Sequence, residues 1–187
     1  MVRNHIFAKI VCMKKIFLSL AIALCVSGAF AQQQKTPPPS TKVTIKQEFG
    51  LSAIDLSYSR PNVKGRKIFG ELVPFGKIWR TGANAATTIA FGADVTIGGK
   101  KVPAGKYGLL TIPEQNEWTV IISKQTDVTS AEAYKEAEDL VRVKVKAMPM
   151  DYPIETFTIS PSNVKASSLD LVILWDKTML SLPITGK

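Results

Sequence analysis

Residues 94–112 read DVTIGGKKVPAGKYGLLTI. Three short apolar runs are separated by Gly98-Gly99 and by Pro103-Ala104-Gly105. Paired glycines supply the positive φ that a tight two-residue hairpin requires, and a Pro-x-Gly sequence suits the following reversal. The stretch therefore predicts strand, turn, strand, turn, strand.

The same grammar extends outward in both directions. Ile54, Leu56 and Tyr58 alternate strictly with polar neighbours, as does the pair Val43 and Ile45, which predicts half-buried strands. TTIAF at 87–91 adds another. Residues 107–112 and 118–123 predict a hairpin around Pro113-Glu114-Gln115-Asn116, in which Trp118 is a core residue. Val141, Val143 and Val145 alternate with Arg142, Lys144 and Lys146, which reads as a solvated strand face whose cations discourage edge-to-edge pairing. Further strands are expected at 154–159, 169–175 and 178–184. Leu171 to Leu174 are apolar on both parities, which suggests burial on both faces. Thr129 and Glu132 have the spacing of a capping box before a run of helix formers, so a short helix is expected at about 130–139. Roughly ten short strands and one short helix define an all-β class, and a jelly-roll-like β-sandwich is the expected architecture.

The N-terminus reads differently. Residues 13–31, MKKIFLSLAIALCVSGAFA, combine two lysines, an apolar run and Ala29-Phe30-Ala31. This is the layout of a secretory signal peptide, and its apolar run is shorter than the ~20 residues of a membrane span. A signal peptide over 1–31 is expected, with Met13 as an alternative start that would leave 1–12 outside the natural protein. Leu24 before Cys25 is not the small residue that lipid attachment favours. Residues 32–41, QQQKTPPPST, predict a disordered, proline-rich linker, and 42–187 a single domain of ordinary size. No transmembrane segment is expected after cleavage, and the domain is expected to be exported to the periplasm or the extracellular space.

Cleavage narrows the available chemistry. His5, Cys12 and Cys25, the only histidine and the only cysteines of the chain, all lie in the leader. The remainder therefore has no disulfide, no ordinary zinc or copper ligand set and no imidazole-dependent nucleophile. No metal and no cofactor are expected. The leader also carries Arg3, Lys9, Lys14 and Lys15 but no acid, so the domain is less basic than the formal +9 of the whole chain. The residual positive charge favours anionic partners, and nucleic acid is not expected for an exported domain without a reading motif.

One segment does not read as scaffold. Residues 58–84 are YSRPNVKGRKIFGELVPFGKIWRTGAN. A long non-periodic loop is expected over 59–85, holding Arg60, Arg66, Trp79, Arg80 and Asn84. Long ordered loops are often functional. Guanidinium groups grip carboxylates, phosphates or sulfates, and indole rings stack on sugars. These five residues are the candidate site for an anionic or sugar ligand. The competing reading is that the arginines pair with Glu71, Asp55 or Asp176 and staple the loop to the sandwich.

The blocks RPNVKGRKIFG, WRTGAN and PAGKYGLLTIP, with EWTVIIS and LVILWDKTMLSLPI, resemble the DUF2911 family over about residues 42–184. The resemblance implies an exported β-rich domain, mainly from Bacteroidetes-type bacteria, and no assigned activity or catalytic residues. Three functions are open at this point. One is a non-catalytic cell-envelope binding module using the candidate site. Another is a structural or partner-binding domain with internally paired arginines. The last is a carboxylate-dependent glycan hydrolase or lyase, using pairs such as Asp94 with Glu71 or Glu155 with Asp170.

Overall fold

The computed structural model of the protein describes residues 39–50 and 52–186. The expected signal peptide at 1–31, with its histidine and cysteines, lies outside the described residues, as do residues 32–38 of the expected linker. Thr41 already pairs with Arg60, so strand structure begins within the last residue of that linker.

Among the described residues the fold is two antiparallel sheets without an α-helix. The first contains β1 (Thr41–Phe49), β2 (Ser52–Arg60), β3 (Thr88–Phe91), β6 (Gly105–Ile112), β7 (Glu117–Ser123) and β8 (Asp139–Lys146), in that spatial order. The second has the order β5 (Lys100–Val102), β4 (Val95–Ile97), β10 (Ser168–Gly186) and β9 (Met148–Ser162). The sandwich is the expected class. The chain crosses between the sheets three times, after β3, β5 and β8. Short hairpins join β1 to β2, β4 to β5, β6 to β7 and β9 to β10, and the second sheet is built from β4, β5, β9 and β10.

The Gly98-Gly99 turn joins β4 to β5, with φ of 56° and 75° at the two glycines. Alternate residues from both sheets form one apolar core, including Ile54, Leu56, Ile89, Trp118, Phe157 and Trp175. Burial on both faces is seen in β6 and β7 rather than in β10. There Leu109 joins the main core, while Leu110 and Ile121 pack behind the sheet with Val128.

The expected strands at 169–175 and 178–184 are one strand, β10. Leu169, Leu171, Ile173 and Trp175 are buried on odd positions, whereas Leu180, Leu182 and Ile184 are buried on even ones. The phase changes at Asp176, whose φ is 49° and where the pairing with β9 shifts register. A bulge here adds one residue and keeps both halves facing the core.

The helix expected at 130–139 is not formed. Residues 131–133 make a turn, and a single 3-10 turn, Glu136–Glu138, precedes β8. The local groups are already committed. Gln125 donates its side-chain amide to the Ala133 carbonyl at 3.0 Å and accepts the Lys135 N–H at 2.6 Å. The Glu132 carboxylate is held below the usual glutamate pKa, first by its own backbone N–H and then by the Ser130 side chain. Tyr134 is drawn against Leu110, Ile121 and Val128. Such side-chain-to-backbone bonds compete with helix closure.

Tyr134 donates a short hydrogen bond to Oδ2 of Asp139, a side chain only 4% exposed, and Arg142 approaches the same oxygen at 3.2 Å. Burial, then the Asp139 hydrogen bond and charge, push the Tyr134 phenol above its ordinary pKa of 10.0. The neutral phenol is the form that stabilises the fold, so its contribution is full below pH 10 and is lost as pH rises through the elevated pKa. Tyr134→Phe is expected to lower the unfolding free energy by about 1–3 kcal/mol near neutrality. The gap to the parent should narrow above pH 10, which urea titrations at neutral and alkaline pH would measure.

Among the described residues no helix is long and apolar enough to cross a membrane.

Candidate functional site

The connection between β2 and β3 is the long segment expected from the sequence, and it is ordered by pairing with both sheets. At its start, the Val63 N–H donates to Glu155 O at 2.8 Å and the Phe157 N–H donates to Pro61 O at 2.8 Å, which extends the second sheet beyond β9. Further on, Trp79 and Thr111 exchange backbone hydrogen bonds of 2.7 and 2.9 Å beside β6, where β3 no longer runs. Between these anchors Ile68 is fully buried and Val73 nearly so.

Aromatic rings pin the segment from below. Trp79 stacks on Trp175 at 5.7 Å with 15° between planes, and meets Phe157 edge-on at 5.2 Å. Phe69 packs edge-on against Trp118 at 4.7 Å. Edge-to-face and offset contacts of this kind each add about 0.5–1.5 kcal/mol beyond burial.

A cavity of about 400 Å³ opens between this segment and the start of the domain. Its charged side chains are Lys64, Arg66, Lys77 and Arg80, and none of its lining residues is acidic. Leu72, Val73, Ile78 and the rings of Trp79 and Trp175 form much of the apolar wall, with three prolines at 39, 61 and 74. Among the described residues, no carboxylate pairs with any of the four cations. Two donors at this cavity have no hydrogen-bond partner among the described residues: Nε of Arg80 and Nε1 of Trp175, the latter residue being 2% exposed.

Of the five candidate residues, the cavity gathers Arg66, Trp79 and Arg80 and leaves Arg60 and Asn84 out of its lining. Arg60 turns to β9, donating to Phe157 O at 3.1 Å and to Thr158 Oγ1 at 2.9 Å. Asn84 donates to Ser40 O at 3.1 Å, tying the chain's entry to the loop's end. Arg66 donates to the carbonyls of Val63 and Asn62, and Arg80 to the carbonyl of Thr129. The arginines thus bond backbone carbonyls and a hydroxyl rather than Glu71, Asp55 or Asp176; Glu71 pairs with Lys67 at 3.0 Å. A carbonyl carries no net charge, so Arg66 and Arg80 keep theirs for the cavity.

Arg80 is placed by a strained neighbour. Thr81 is fully buried at φ 55°, a conformation rare for a β-branched residue. The Thr87 hydroxyl donates to its carbonyl at 2.7 Å, and its own hydroxyl lies 3.1 Å from that of Thr111. Such over-determined strain clusters where a side chain must be aimed.

Sequence reasoning overlooked Lys64 and Lys77, and the strand pattern marks Trp175 for the core, where it is 2% exposed. The two lysines stand in the same loop as the arginines, so its summed charge would have pointed to them. The acids considered for glycan cleavage are not among the lining residues and are otherwise engaged: Glu155 accepts the backbone N–H of Lys64 at 2.9 Å, Asp170 accepts from Asn163, and Asp94 accepts the Ala104 N–H at 3.0 Å.

The class defined by this geometry is a two-sheet antiparallel β-domain carrying a cationic, acid-free cavity under one long loop. Residues 40–184 match the model of the DUF2911 family, described as a protein of unknown function. The chain belongs to that family. No curated protein and no solved structure matches it.

Proposed function

We propose that the domain is a non-catalytic binding module of the cell envelope, exported by the leader at 1–31, that holds an anionic ligand in the cavity beneath the β2–β3 loop. One observation carries this reading: Lys64, Arg66, Lys77 and Arg80 converge on a concave, largely apolar site that contains no carboxylate. Like charges gathered without counter-ions are unfavourable in the empty site, and an anion relieves them. The volume is within the range of small-molecule sites. Without a lining acid, the cavity offers no carboxylate as general acid or base, which favours binding over glycan cleavage.

Arg60 fits the structural alternative instead. Its guanidinium fastens β2 to β9, so it acts on stability and not on the ligand.

The test is a thermal-shift screen of carboxylates, phosphates and sulfates, followed by calorimetry on whatever shifts. Binding is expected to weaken at least tenfold in the double variant Lys64→Ala/Lys77→Ala, whose exposed side chains leave the core intact, and to weaken with added salt. A screen in which no anion raises the melting temperature, or a double variant that binds as the parent does, would remove this reading.

A further inference from the structure

The lining also restricts what the anion is attached to. This inference rests on the binding reading above and sharpens it. A sugar hydroxyl must donate as well as accept, so a carbohydrate site supplies acceptors, most often carboxylates and amide oxygens. Here the lining is rich in donors and poor in acceptors. Lys64, Arg66, Lys77 and Arg80 donate only. The neutral polar side chains of the lining are Ser40 and Asn62. Oδ1 of Asn62 already accepts the Thr156 hydroxyl at 2.8 Å. The Gly82 carbonyl already accepts from Trp79 Nε1 at 3.0 Å and the Asn62 carbonyl from Arg66, which leaves each a single lone pair. The several hydroxyls of a buried sugar would compete for few side-chain acceptors, and each proton left unpaired costs about 1–3 kcal/mol.

An apolar body meets no such penalty. Leu72, Val73, Ile78 and the stacked rings of Trp79 and Trp175 offer it a wall, while the four cations lie ready for an ionic head. We infer that the ligand is an amphiphilic anion, a carboxylate or phosphate head on an acyl or aryl body, and that the shortage of side-chain acceptors selects against carbohydrates.

Four probes separate the possibilities by calorimetry and by the fluorescence of Trp79 and Trp175: decanoate, decyl phosphate, decanol and glucuronate, all below micellar concentrations. Either decyl anion is expected to bind at least tenfold more tightly than both glucuronate and decanol, and the comparison of the two identifies the head. Lys64→Glu/Lys77→Glu should abolish that binding while the melting temperature of the free protein stays near the parent's. Glucuronate binding as tightly as decanoate would overturn the amphiphile inference and leave the anion-binding module standing. Decanol binding as tightly as decanoate would overturn both, because charge would then play no part. Failure of all four probes would overturn this inference, and the anion screen would separately decide the broader reading.

Discussion

Trp175→Ala is expected to lower the unfolding free energy by about 3–5 kcal/mol, the range for truncating a large buried aromatic. Trp175 is 2% exposed and stands where three rings meet it: Trp79 stacked at 5.7 Å, Phe157 edge-on at 5.6 Å and Phe69 edge-on at 6.0 Å. Two of these belong to the long loop, so the vacancy would reach the segment that forms the cavity wall. The conservative change separates packing from chemistry. Trp175→Phe keeps an aromatic ring in β10 and removes the Nε1–H that lacks a partner. Loss of an unsatisfied buried donor offsets part of the lost contact, so this variant should lose less than half of what the alanine loses. Equal stability losses for the two variants would contradict the packing account.

Gly108→Ala is expected to rank next, destabilising the domain by about 1–3 kcal/mol or more through overpacking. Gly108 lies in β6 between Thr88 of β3 and Ser123 of β7. A methyl group there would sit 2.1 Å from the carbonyl oxygen of Gln125, a backbone atom that cannot rotate away. Gln125 cannot yield cheaply, since its side chain bonds both Ala133 and Lys135 and its N–H lies 3.3 Å from Ser123 Oγ. The strain should spread to the 131–135 turn and to Tyr134, which packs behind β6. Thermal unfolding gives the size of the loss, and amide exchange at 131–135 should rise more than at β1. A melting temperature equal to the parent's would show that the backbone moves freely at this point.

The strands were legible where local chemistry decides them. Gly98-Gly99 can hardly be anything but a tight turn, and the alternation of Ile54, Leu56 and Tyr58 fixes which face of β2 is wet. The helix at 130–139 failed because its polar groups answer to partners outside the segment, Gln125 and Arg142 among them, which no local propensity encodes. The unity of β10 was hidden by Asp176. An aspartate in the left-handed region looks like any turn residue until its pairing with β9 shows that the chain runs straight on. The candidate site was half legible for a related reason. Arg66, Trp79 and Arg80 stood out by residue type, but composition says nothing of direction, and Arg60 and Asn84 turn away to Thr158 and Ser40. Lys64 and Lys77 were passed over because an exposed loop lysine is ordinary. Only their convergence with two arginines on a cavity without a lining acid sets them apart.

The order of strands also governs the order of assembly. β1 with β2 and β6 with β7 each close a short loop, at little entropic cost. β4 has no such near neighbour beyond β5, because Val95 pairs with Gly186 at the other end of the domain. The first sheet can therefore nucleate from contacts close in sequence, while the second closes across about ninety positions, which is the slow kind of pairing. Until it closes, the inner face of the first sheet is without its cover, and that interval is when the folding chain is most exposed to association with its own kind.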